Sequence, residues 1–487
     1  MFCVVSIELL IGMQAPRFFL LDDAGYGDSY VLYDVLHFQS SGVIYRDLSR
    51  PPYLPSTYSP LVYILYSLPG RIVHWGNPFL GPRLVAVAAF LLCIVMAASI
   101  AGALIPERSG RFWALLLGGS IACMYDWVLQ IRGDFPGIFL NLAAIRLLLV
   151  GSPWAVVLAG VCAGLATQFK YTFVAALAAG CLWLLVRRRW KDLARFAASG
   201  FLASAGLYLL FSLREPRMIS QITALRIAFV DLTGCLQMIY TALCEPVVIL
   251  AILAIPLASS RISPRWVLLF LFALTSFAIA GLLDLHPGGN INYFYEALFA
   301  TLPAAALGVL RLMAWARRRT VAGLFVAALF LLQFARPRVD DLLSSISAGE
   351  IGFRAVDSRN AEFRRLQYAL RGQHIFSTVS RLALLDPAPA LLDAFSLWKV
   401  DPQPIFDRIR KSEFDVVITT SSPTTWRGVE HVGPDLRNAI VSAYAPQCVA
   451  RGALLQLPRN RPPDNALLQE LNRIGCAPIA GTAGLNW

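Results

Sequence analysis

Residues 84–105 read LVAVAAFLLCIVMAASIAGALI and carry no charged side chain. A helix of that length rises about 33 Å, enough to cross the ~30 Å hydrocarbon core of a bilayer. Lipid offers backbone amides no hydrogen-bond partner, so such a run closes its own bonds as a helix. Three further stretches, 112–130, 197–213 and 266–283, are nearly as free of charge. Over 487 residues the chain is 57% hydrophobic and only 15% charged, where a soluble domain holds about 25% charged residues. Its mean hydropathy is +0.61. A stack of buried soluble helices is the alternative, but the apolar runs recur too often and basic clusters punctuate them. The sequence therefore specifies a polytopic α-helical membrane protein.

The formal net charge is +12, from 42 Lys+Arg against 30 Asp+Glu. The basic residues gather at helix ends: Arg187, Arg188, Arg189 and Lys191; Arg261 and Arg265; Arg317, Arg318 and Arg319. That placement marks cytoplasmic ends and makes membrane lipid the partner, and no motif for nucleic acid accompanies it. Nine cysteines are scattered without a CxxC. Cys93, Cys123, Cys162 and Cys181 fall in apolar runs as packing residues. Cys448 and Cys476 lie in the polar tail and can pair if it sits in an oxidising compartment. No Cys/His constellation points to a metal site and no cofactor is expected, although a divalent metal stays open.

The opening MFCVVSIELLIGM is a short apolar segment, expected to be a first transmembrane helix rather than a signal peptide. Residues 22–60 form an acidic loop. Its first part, 29–40, has helical character, and Pro51, Pro52, Pro55 and Pro60 keep the rest irregular. Residues 61–105 give two hydrophobic segments around GNPFLGPR. Then come 112–130, the polar knot QIRGDFPG and 137–150. Residues 154–186 are too long for one ordinary span and hold Lys170 in the middle. One tilted helix and two short ones meeting at QFKYT are both open, and the choice flips the side of everything upstream. Beyond the basic run at 187–195, spans at 196–213, 245–259, 266–284, 297–313 and 321–335 place the tail outside. Residues 1–337 thus form a transmembrane domain. Residues 338–487, with strand-like HIFSTVS, FDVVITT and ALLQLP among helical stretches, form a small exoplasmic α/β domain.

Four places could carry chemistry. Asp28 heads a helix at the membrane–water boundary, where a carboxylate either caps the helix or takes a proton from an acceptor hydroxyl. Asp22, Asp23 and Asp34 compete with it, each read first as a solvated charge. Arg132-Gly133-Asp134 lies between two apolar helices, as a boundary marker or a polar-ligand site, with Asp126 a weaker neighbour. Lys170 stands inside an apolar stretch, where a cation costs about 2.5–3.5 kcal/mol. It either snorkels or binds a phosphate. In HPGGNINYFYE (286–296) two glycines break the helix before Asn292, Tyr293 and Glu296, whose side chains suit a hydroxyl-rich or phosphate ligand. An ordinary loop in an interfacial aromatic belt is the plainer reading.

Taken in order, GDSYVLYDVLHFQSSGVIYRD, YSPLVYILYSLPG, GPRLVAVAAFLL, RGDFPGIFLNLAAIRLLL, GLATQFKYT, GGNINYFYE, LLDAF and FDVVITT resemble the bacterial family-39-like, C-type glycosyltransferases. That group includes protein O-mannosyltransferases, aminoarabinose transferases and rhizobial lipopolysaccharide-core transferases. The family often has two acidic residues where this chain has Asp28-Ser29, and RPD where it has Arg132-Gly133-Asp134. The resemblance implies sugar transfer from a polyprenyl-phosphate donor on the outer face of the cytoplasmic membrane, with inversion. It implies Asp28 as base, Lys170, Arg132 or Arg83 on the departing phosphate, and Asn292 and Tyr293 lining the donor site, with Asp134 and Glu296 beside them. The acceptor, whether glycan, lipid or protein, stays unnamed. A transporter or flippase of lipid-linked glycans is the alternative, and a membrane scaffold a third reading.

Overall fold

The computed structural model describes residues 2–24, 27–223, 230–257, 263–286, 289–318, 352–379, 382–384, 389–391, 401–420, 425–426, 429–430, 434–450, 453–462 and 464–478. Its helices are α1 (Phe2–Arg17), α2 (Asp28–Ser41), α3 (Pro60–Ile72), α4 (Leu80–Leu104), α5 (Ser109–Gly118), α6 (Tyr125–Val128), α7 (Asp134–Val150), α8 (Pro153–Ala166), α9 (Ala175–Val186), α10 (Trp190–Arg214), α11 (Met218–Thr223), α12 (Leu232–Leu243), α13 (Pro246–Leu257), α14 (Pro264–Asp284) and α15 (Tyr295–Arg318). Among the described residues, four helical runs are long and apolar enough to cross a membrane: Leu80–Leu104, Trp190–Arg214, Pro264–Asp284 and Ile291–Trp315. Leu232–Leu243 and Pro246–Ala254 pass the same test only as a pair bent by 65°, and α8 and α9 are shorter apolar helices. The chain is a multi-pass membrane protein. The span expected at 321–335 lies outside the described residues.

The ambiguous stretch 154–186 is two helices. Gly151 closes α7 in the left-handed region, and Ser152-Pro153 opens α8, with Ser152 Oγ accepting from the Ala155 amide at 3.3 Å. The break after α8 is stabilised locally. Thr167 Oγ1 donates to the Gly164 carbonyl, and the Tyr208 hydroxyl donates to the Thr167 carbonyl, both at 2.7 Å. Gly160 and Gly164 let α8 press onto α10. A Cβ at either would stand 2.3 Å from a backbone oxygen of that helix, Phe196 O or Gly200 O. This small-xxx-small spacing packs membrane helices without side-chain bulk. It was legible in GVCAG, yet the composition reading passed over it.

Because α8 and α9 form a hairpin, the parity settles. The segments 18–24, 27–59, 129–134, 167–174, 214–223, 284–286 and 289–292 all meet at one end of the bundle. Long-range bonds such as Tyr66 Oη to Arg132 O and Ile44 N to Glu215 Oε1 tie them together. Two hydrophobic segments do not form single spans. Residues 112–130 break at Gly118-Gly119-Ser120, where poor helix formers end α5 before a 3-10 turn and α6. Helix α3, at 13 residues, does not span. Asn77 just beyond it donates to the carbonyls of Phe19 and Leu20, so both its ends stay at the same end of the bundle.

Beyond α15, helices α16 (Phe353–Ala369), α17 (Gln403–Arg410), α18 (Pro434–Ala443) and α19 (Asn465–Arg473) surround a six-stranded mixed sheet. The strands are β1 (Ile375–Ser377), β2 (Ala390–Leu391), β3 (Val416–Thr420), β6 (Tyr444–Ala450), β7 (Ala453–Pro458) and β8 (Ala477–Pro478), in the order β2-β1-β3-β7-β6-β8. The short β4 (Thr425–Trp426) and β5 (Val429–Glu430) pair separately. The three strand-like runs became β1, β3 and β7, whereas β6 was not anticipated. Cys448 on β6 and Cys476 before β8 are bonded, their Cα atoms 5.5 Å apart. The acidic loop fastens this domain to the bundle. Tyr53 enters its apolar core, Leu391 N donates to Pro52 O at 2.9 Å, and Asn360 bonds Phe19 and Leu21.

Candidate active site

Asp134 opens α7 and is almost fully buried. Its Oδ1 accepts from Lys170 Nζ at 3.2 Å and from Asn292 Nδ2 at 3.1 Å. Three breaks in the helical chain thus supply one cluster: the knot before α7, the α8–α9 hairpin and the loop before α15. Gly133 permits the approach, since a Cβ there would lie 2.5 Å from the Phe169 carbonyl oxygen. The Lys170 ammonium stands 4.0 Å above the centre of the half-buried Tyr293 ring. Asp134 Oδ2 is buried and has no hydrogen-bond partner among the described residues. A buried carboxylate oxygen left unpaired calls for an explanation, and a polar ligand group is one.

Asp28 lies next door, fully buried. Gly27, with φ 84°, takes the N-cap place, and Asp28 is the first helical residue. The capping reading of Asp28 is therefore corrected. Its carboxylate accepts from the amides of Ala24 at 3.1 Å and Ile131 at 3.2 Å, gripping the segment that leads to Arg132 and Asp134. Burial pushes this carboxyl up to about 6, against the pull of Arg83, Arg132 and the two amides. The group is more basic than an exposed aspartate.

Arg132 stacks its guanidinium 4.5 Å from the Trp127 ring centre, and its field reaches Asp28. Arg83 is fully buried. Its Nη1 donates to the carbonyls of Leu20 (2.6 Å), Phe18 (3.0 Å) and Arg17 (3.4 Å), and its Nη2 to Asp22 O (2.6 Å). The structure thus makes Arg83 a clamp on the chain leading to Asp28. Glu296 stands apart, accepting from Asn141 Nδ2 within the helices. Asp22 and Asp34 are buried, which overturns the solvated reading. Asp34 pairs with Arg46 at 2.6 Å, and burial lifts its carboxyl to about 6. Asp23 accepts from the amide and hydroxyl of Ser29. Tyr58, beside the fields of Arg132, Asp134, Lys170 and Tyr293, was missed. A tyrosine in a proline-rich loop carries no periodic signal.

No family model and no curated sequence matches this chain. Its fold, however, is known. ArnT from Cupriavidus metallidurans in the apo state superposes with a TM-score of 0.62 at 13% identity, over 93% of this chain and 96% of that one. ArnT bound to undecaprenyl phosphate gives 0.59 at 14%, over 93% and 97%. The fold is that of the C-type glycosyltransferases. The archaeal oligosaccharyltransferase AglB from Archaeoglobus fulgidus, in complex with an inhibitory peptide and a dolichol-phosphate, also shares it. There the TM-score is 0.53 at 11% identity, over 95% of this chain and 74% of that one. The C-type fold puts the resemblance read from the ordered segments on a structural footing.

Proposed function

We propose that this chain transfers a sugar from a polyprenyl-phosphate donor to an acceptor hydroxyl. The observation that carries the reading is the Lys170–Asp134–Asn292 cluster with its open carboxylate oxygen, set beside Asp28 in a C-type fold. The donor phosphate lies against Lys170 and Arg132, whose charge-assisted hydrogen bonds grow stronger as the leaving group gains charge. Asp134 Oδ2 and Asn292 hold sugar hydroxyls, with Tyr293 beneath. Asp28 takes the acceptor's proton as the acceptor oxygen bonds to the anomeric carbon. The bond from that carbon to the phosphate oxygen breaks, the configuration inverts, and polyprenyl phosphate leaves. Arg83 acts on Asp28 by holding residues 17–22, and has no role on the phosphate.

Lipid-borne donor and water-borne acceptor meet at the exoplasmic face of the cytoplasmic membrane. Two observations support that side: the basic residues Arg187, Arg188, Arg189 and Arg265 at the opposite end, and the Cys448–Cys476 bond in the tail domain. The test uses cell-envelope membranes that contain the native acceptor, purified protein and a radiolabelled polyprenyl-phosphate sugar. Transfer of label off the carrier, with release of polyprenyl phosphate, supports the reading. Label that changes leaflet while remaining on its carrier would make the chain a transporter.

A further inference from the structure

At the end of the bundle away from Asp134, helices α4, α7 and α9 finish and α14 begins around a cavity of about 620 Å³. Helix α7 joins the two sites and separates them by about 25 Å, from its 17 residues. Arg187, Arg189 and Arg265 line the cavity together with Leu104, Leu149 and Trp183. Trp183 Nε1 donates to the Pro264 carbonyl at 2.8 Å and fixes α9 to α14. Arg189 is already engaged, with Asp192 at 2.9 Å and the Gly151 carbonyl at 3.2 Å. Arg187 and Arg265 are exposed, and no carboxylate among the described residues pairs with either. Val150 of the lining and the chain neighbours Val186 and Trp190 turn apolar surface outward, being 57%, 65% and 60% exposed.

We propose that this cavity holds the phosphate headgroup of an anionic phospholipid. Arg187 and Arg265 contact the phosphate oxygens, and the acyl chains run down over Val150, Val186 and Trp190. Guanidinium groups suit phosphate because their forked donors match its oxygens, and basic pockets between membrane helices take anionic headgroups. Free phosphate would engage the same guanidiniums, but it would leave the apolar margin uncovered. The site is independent of the transferase reading, since none of its residues belongs to that cluster.

The experiment uses full-length protein, delipidated in neutral detergent and titrated separately with phosphatidylglycerol, phosphatidylcholine of the same acyl chains, and inorganic phosphate. Native mass spectrometry and thermal unfolding supply the readouts. Phosphatidylglycerol should bind and raise the unfolding temperature, while the other two should not. Replacing both Arg187→Gln and Arg265→Gln should weaken phosphatidylglycerol binding roughly thirtyfold. Arg188→Gln, an exposed neighbour outside the cavity, should leave it unchanged. Equal binding of the two lipids overturns the proposal, as does an equal loss with Arg188→Gln. Stabilisation by inorganic phosphate alone would assign the cavity to a free anion instead. The two-lipid comparison on the unaltered protein keeps the test valid even if the double variant fails to fold.

Discussion

The two ends of the helix bundle are both charged, and they are built differently. At the basic end, Arg189 and Arg195 pair with Asp192 three residues away, and the arginines are half-buried or exposed. At the other end Lys170 reaches Asp134 across 36 residues, Asn292 reaches it across 158, and Asp28 holds Ile131 across 103. These groups are buried or nearly so. Local pairing on a surface adds about 0–1 kcal/mol and mainly records orientation in the membrane. Buried charge held by distant segments carries a desolvation cost that packing alone does not explain. On the proposed function, the end with the buried, distantly held charges is the one that performs the chemistry.

The largest effect expected is at Asp28. Asp28→Asn should lower turnover about a hundredfold or more. Folding should be little changed, because removing a buried charge offsets the loss of one amide hydrogen bond, worth about 1 kcal/mol. Turnover within a few-fold of the parent would pass the role to Asp22, Asp23 or Asp34. Next comes Lys170→Met, which should weaken donor binding about tenfold while the purified protein stays monodisperse. Unchanged affinity would reduce Lys170 to a counter-ion for Asp134.

The pH profile sharpens the same contrast. Asp28 must be ionised to accept a proton, so turnover should fall about tenfold per unit below pH ~6. Stability should move the opposite way. A carboxyl raised in the fold stabilises it below the unfolded value near ~4, and that contribution is lost as pH rises through about 6. An activity profile flat from pH 7 to 5 would remove Asp28 from the proton's path. The smallest effect belongs to the basic end. Arg195→Ala should change stability by no more than about 0.5 kcal/mol. A loss comparable to that of Lys170→Met would erase the distinction between the ends.

Much of this was legible in the chain. Uncharged runs such as 84–105 announced the membrane helices, and the odd residues among them, Lys170 and Asp134 of the Arg132-Gly133-Asp134 knot, are two that the structure brings into one cluster. A cation in an apolar run needs a partner, and the helix breaks showed where partners could come from. The partner itself was not legible, because periodicity along one helix says nothing about which other helix meets it. The same limit hid the clamp made by Arg83, whose acceptors are backbone carbonyls that any sequence supplies. It also hid the burial of Asp22 and Asp34, which depends on the tail domain and the folded acidic loop. Helix α3 read as a hydrophobic segment by composition, and its short length and the bonds of Asn77 show that it does not span.

The most direct measurement of the central claim is a single-turnover reaction. Purified protein is mixed with excess acceptor membranes and a polyprenyl-phosphate sugar labelled at the anomeric carbon, and carrier and product are followed together. The expected result is stoichiometric release of polyprenyl phosphate with the label in the acceptor fraction in inverted configuration, and a rate at least about a hundredfold lower with Asp28→Asn. Label that stays on the carrier in both proteins, across donors with different sugars, would contradict it.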